Sequence, residues 1–274
     1  MISSSGRRAL ILLLFTSALA AGQAAPTSGA GGQKEAEDLL RQIDSRIYYA
    51  RNEGLKDVRF RWQLGGTGIF EELSKVWIDY AWKAPDKWRM QWVDAEGKPI
   101  QELPAFAKTE EGRNLFENQR TQLHSMAQTV MIGLPLSQIY KDYLKEVKSL
   151  EVNNKIEHRI IMRPQSKKAF TRVVIHVRDG LPREFVKTDE KGAELTSRVR
   201  FEARGDKWLC VGVKVEVQNQ VVQDEDYHYS THDGVLVLTE NVIGVAQGEK
   251  RRYTVRMEDL KVNSGLPDSL FDAK

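Results

Sequence analysis

The chain reads as an α+β protein built on one large antiparallel β-sheet with helices segregated to one face. Three observations predict this. Stretches in which apolar and polar residues alternate recur from Leu55 almost to the carboxyl end, and turn dipeptides separate them at hairpin spacing. Helically spaced apolar residues occur only near the start and in the middle.

Before the folded part, Arg7 and Arg8 precede the apolar run Ala9–Phe15 and the small-residue site Ala18-Leu19-Ala20, the pattern of a cleaved export signal over residues 1–20. An uncut anchor is the alternative, although the run is short for a membrane span. No cysteine stands at the cleavage site, so acylation of a lipoprotein type is not expected and the protein should be released, soluble, into the periplasm. Residues 21–33 are rich in Gly, Ala, Ser and Pro and read as a flexible leader. Residues 34–274 are read as a single domain.

That domain opens with a helix. Ala36, Leu39, Leu40, Ile43 and Ile47 recur at helical spacing with charged residues between them, giving one apolar face that must cover something. From Leu55 the period becomes two: Val58, Phe60, Trp62 and Leu64 up to a Gly65-Gly66 turn, then Val76, Ile78, Tyr80 and Trp82, then Trp88, Met90 and Trp92. Connections this short join antiparallel neighbours.

The middle of the chain returns to helical spacing at Leu123, Met126, Ala127, Val130 and Met131. Gly133 and Pro135 interrupt it, and Leu136, Ile139, Tyr140, Tyr143 and Leu144 resume it, so a helical pair is expected there. Strands follow near 169–177, 196–204, 208–218, 226–232, 235–245 and 250–262, with hairpin signals at Asp179-Gly180, Gly205-Asp206 and Asp233-Gly234. The expected total is about ten strands.

Composition removes several classes of function. Formal charge is +3 and falls to +1 once Arg7 and Arg8 leave with the signal, so no electrostatic footprint for nucleic acid or an anionic bilayer remains. Cys210 is the only cysteine; it can form no internal disulfide and reads as a small core residue. There is no G-x-S-x-G, H-E-x-x-H, Walker loop or dinucleotide-binding glycine pattern, so no catalytic residue, cofactor or enzyme activity is assigned. Asp226, His228, Ser230 and His232 share a strand face at a spacing that suits zinc, but they serve equally as the polar side of a two-sided strand, and no metal is assigned.

Aromatic residues are more informative. Trp62, Trp77, Trp82, Trp88 and Trp92 fall on three successive strands, where they form either a packed core or the wall of an apolar cavity. A helix bearing Met126 and Met131 suits a lid over such a space, because methionine adapts to irregular apolar partners. The candidate lining is Phe60, Trp62, Trp82, Trp88, Trp92, Met126 and Met131.

The order of these elements, the segment from Trp82 to Trp92 (WKAPDKWRMQW) and the closing segment from Val262 to Phe271 (VNSGLPDSLF) resemble the LolA-like outer-membrane lipoprotein-sorting proteins over residues 34–271. Where those carriers often place an arginine before the turn proline, this chain has Ala84, with Lys83 beside it. The resemblance implies an unclosed β-barrel whose concave, apolar face is covered by helices. It also implies a non-enzymatic, monomeric periplasmic carrier of lipid or lipoprotein acyl chains, served by inner- and outer-membrane partner proteins. An envelope sensor or protein-interaction domain of the same fold is the alternative.

Overall fold

The computed structural model describes residues 30–63, 76–100, 108–110, 113, 123–152, 154–245 and 251–272. The segment expected to be an export signal, most of the expected leader, the expected Gly65-Gly66 turn and Leu64 lie outside the described residues. Twelve strands are described: β1 (Asp57–Gln63), β2 (Trp77–Lys83), β3 (Lys87–Val93), β4 (Tyr143–Val152), β5 (Lys155–Pro164), β6 (Arg172–Arg178), β7 (Leu181–Thr188), β8 (Glu194–Arg204), β9 (Lys207–Val217), β10 (Gln220–His232), β11 (Val235–Val245) and β12 (Arg251–Val262). They form one antiparallel sheet in the order β3-β2-β1-β12-β11-β10-β9-β8-β7-β6-β5-β4. The nine strands from β4 to β12 are a continuous meander, and β12 returns to pair with β1. β3 and β4 stand at opposite edges, so the sheet is unclosed.

Nine of the twelve strands are placed from sequence; β4, β5 and β7 were not legible. Helical spacing carried the expected second helix on through Tyr143 and Leu144, whereas the helix covers only Leu136–Ile139 and β4 begins at Tyr143. From there Tyr143, Lys145 and Val147 alternate with Leu144 and Glu146. With a lysine on the inward side and a leucine on the outward one, the period-two signal is erased. Three hairpins do turn where expected, at Asp179-Gly180, Gly205-Asp206 and Asp233-Gly234, and two more turn at Asn154 and at Gln218-Asn219, all of them using positive φ.

Helix α1 (Ala30–Arg46) starts inside the stretch read as leader. Gln33 belongs to its first turns and accepts a hydrogen bond from the Lys145 backbone N–H of β4 at 2.6 Å. The face expected from sequence is the one that packs: Ala36, Leu40, Ile43 and Ile47 are buried against Ile160, Met162, Ile175, Val177 and Leu181, with Leu39 half-buried at the margin. Beyond α1 the chain pairs with β9, where the Tyr48 N–H donates to the Trp208 carbonyl at 2.8 Å. This contact sits where the β9–β10 ladder stops, after Asp226↔Gly212.

The closing segment is a clasp. The Asp57 carboxylate accepts from the Ser264 N–H at 2.9 Å and the Gly265 N–H at 3.1 Å, and the Asn263 side chain bridges Lys56 N–H and the Gly54 carbonyl. Lys83 donates to the Leu266 carbonyl and to Asp268, both at 2.7 Å. The two segments that carry the sequence resemblance therefore hold each other.

Candidate functional site

Strand register places one continuous inward face across the sheet. From β5 to β9 it runs Ile160↔Ile175, Ile175↔Phe185, Phe185↔Ser197 and Ser197↔Val215. At the other side it runs Met257↔Trp62, Trp62↔Ile78 and Ile78↔Trp92. Two apolar clusters share this face, one beneath α1 and one beneath the mid-chain helical segment. That segment is a helical turn over residues 123–126 that widens into a π-helical turn, Ala127–Met131, closed by the Ile132 N–H donating to the Ala127 carbonyl at 2.9 Å. Short π-helical insertions occur often at functional sites.

Five of the seven residues selected from sequence meet there. Phe60, Trp62, Trp82, Met126 and Met131 are buried in the second cluster, and Trp92 packs against it half-buried. Phe60 and Trp62 have ring centroids 5.0 Å apart, and Trp62 stacks on Tyr80 at 6.1 Å. Trp88 lies on the edge strand, 40% exposed, with the His124 ring stacked on it at 3.8 Å. Trp77 belongs to the opposite face, under the Arg61 guanidinium.

The floor of the inward face also carries polar groups. Ser197, Gln223, Glu225, Asn241 and Lys187 are all buried. Glu225 accepts hydrogen bonds from Gln223 and, at 2.9 Å, from Asn241, whose amide also reaches the Met126 sulfur at 3.8 Å. Burial pushes the Glu225 carboxyl above the usual range, against these bonds. The Trp62 and Trp82 indole N–H groups and the Asn241 carbonyl oxygen are buried with no hydrogen-bond partner among the described residues. Such a group costs about 1–3 kcal/mol and calls for an explanation. Sequence reasoning missed this floor because both faces of β10 are polar: Gln223 and Glu225 point inward, Asp224 and Asp226 outward.

The outward side of the same strands is an ion-pair lattice. Arg200 donates to Asp224 at 2.8 Å, to Asp226 at 2.6 Å and to the Glu225 carbonyl. Asp226, His228, Ser230 and His232 do share the expected face, but Asp226 is engaged by Arg200, and among the described residues no cluster of three potential ligands is found. A groove lined by Arg183, Arg200, Arg204, Leu209 and Val211 runs along this face. Burial pushes the Cys210 thiol up to about 12, which leaves it a poor nucleophile. No described helix is long and apolar enough to cross a membrane.

The fold and site define an unclosed antiparallel sheet with helices over one apolar face. Similar solved structures include an outer membrane lipoprotein-sorting protein domain of Vibrio parahaemolyticus, with 14% identity, a TM-score of 0.41 and coverage of 88% of this chain and 97% of that one. A DUF1329 family protein of Desulfovibrio piger is similar at 11% identity and a TM-score of 0.37, covering 88% and 97% of the two chains. A LolA superfamily protein of Nitrosomonas europaea is similar at 10% identity and a TM-score of 0.37, covering 87% and 97%. No family model and no curated protein matches the chain by sequence.

Proposed function

We propose that this chain is a non-enzymatic, periplasmic carrier that takes an acyl chain of a lipid or lipoprotein between the Phe60–Trp62–Trp82 wall and the Met126–Met131 segment. The observation that carries the reading is the roof itself. The aromatic half of the sheet is closed by a short methionine-bearing segment that includes a π-helical turn, whereas the other half is closed by the regular helix α1. Methionine side chains re-pack at little cost, and each buried CH₂ of a ligand gains about 0.8 kcal/mol. Native mass spectrometry of protein purified from its own envelope, with uptake of a fluorescent fatty acid, tests this. Bound lipid and saturable uptake are expected, and a protein that is always lipid-free and takes up no probe rejects the reading.

A second reading, a sensor or protein-interaction domain, is favoured by the edge hairpin β4–β5. Leu150, Val152 and Ile156 are exposed there beside an open strand edge. Replacing all three with serine should abolish partner capture and leave fatty-acid uptake intact if this edge is the interface.

A further inference from the structure

Glu225 fixes how Asn241 is turned. The Asn241 amide nitrogen donates to Glu225 at 2.9 Å, and its carbonyl oxygen points the other way. That oxygen is wholly buried and has no partner among the described residues, while the amide nitrogen also reaches the Met126 sulfur at 3.8 Å. Gln223 and Asn241 both donate to Glu225, so the orientation is held by a network rather than by one bond. An unmet acceptor on this buried floor selects a ligand that brings one hydrogen-bond donor to it.

We propose that Asn241 is the polar end of the acyl-chain subsite, accepting a hydrogen bond through its Oδ1 from an amide N–H or a hydroxyl near the carbonyl end of the ligand. The inference rests on the carrier reading above and adds to it the chemistry of the ligand's head. Glu225 and Gln223 act as positioning residues, since they reach the ligand only through Asn241. Trp62 lies on the same face two strands away, and its unpartnered indole N–H is available to the ligand carbonyl.

The test measures competition by three probes of equal chain length against a fluorescent fatty acid on the full chain. Methyl dodecanoate carries no donor, N-methyldodecanamide carries an amide N–H, and methyl β-hydroxydodecanoate carries a hydroxyl. At least one donor-bearing probe should bind about tenfold more tightly than the ester, and the better of the two identifies an N-acyl or a hydroxyacyl ligand. Asn241→Leu should bring that probe to the ester's affinity and leave the ester unchanged. Equal binding of the three probes, or an Asn241→Leu variant that keeps the preference, overturns the subsite while the carrier reading stands. Binding of none of the probes overturns both. The wild-type series needs no variant, so a folding defect in Asn241→Leu, read by circular dichroism, leaves the test decisive.

Discussion

Asp44, near the end of α1, caps Ser137 in the short helix that precedes β4. Its carboxylate accepts from the Ser137 N–H at 2.9 Å and from the Leu136 N–H at 2.8 Å, and the buried Tyr49 hydroxyl donates to it at 2.7 Å. One side chain thus ties the N-terminal helix to the link between the two halves of the inward face. Asp44→Ala leaves the buried Tyr49 hydroxyl and two half-buried N–H groups unmet and should cost about 2–4 kcal/mol in denaturant unfolding, with Asp44→Asn recovering part of that loss. A loss below 0.5 kcal/mol would mean that water replaces the cap.

Acid stability should depend on Glu157. Burial pushes its carboxyl up, but bonds from His176, Arg178 and Arg159 outweigh burial and hold it at about 2. With a folded value below the unfolded 4.5, its contribution is present above pH 4.5 and is lost as pH falls toward 2. Glu157→Gln should lower stability by about 2–3 kcal/mol at pH 7 and by little at pH 2, so the gap between the two unfolding curves closes on acidification.

Lys187 should act in the opposite direction. It is buried on the inward face near the Phe170 ring, and burial lowers its ammonium from 10.5 to about 7. The unfolded chain holds that proton between pH 7 and 10.5 while the folded one releases it, so stability rises with pH across this window. Lys187→Met should stabilise the protein at pH 7 by about 1–3 kcal/mol, and the gain should shrink as pH approaches 10.5. A variant less stable than wild type at pH 7 would show that the amine's contacts outweigh its desolvation.

The tryptophans should separate into two behaviours. Trp62→Ala removes a fully buried ring that stacks on Tyr80 and lies tilted against Phe60, and should cost about 3–5 kcal/mol. Trp88→Ala, at the exposed edge, should cost under about 1 kcal/mol. Thermal melts of the two variants measure this difference, and similar losses would place Trp88 in the packed core.

Much of this arrangement was legible from residue order. The α1 face, the alternation through β1, β2 and β3, and three of the hairpin turns follow from local periodicity and from residues that tolerate positive φ. β4 was not legible, because its inward Lys145 is satisfied by the Tyr143 and Lys141 carbonyls, contacts that exist only once the strand has formed. On the buried inward face, the sequence brought out Phe60, Trp62, Trp82, Met126 and Met131 but not Gln223, Glu225 or Asn241, whose polarity reads as surface until register turns them inward.

By itself the sequence determined which residues alternate, where the chain turns and which side chains are large and apolar, because these are set by neighbours within a few positions. The tertiary structure alone decided that β12 returns to β1, that Trp77 faces away from Trp62, and that the Glu225–Asn241 pair lies under Met126. Each of these depends on pairings between residues far apart in the chain. A polar residue on a strand has two faces open to it, and only the partner strands and the roof decide which one is buried.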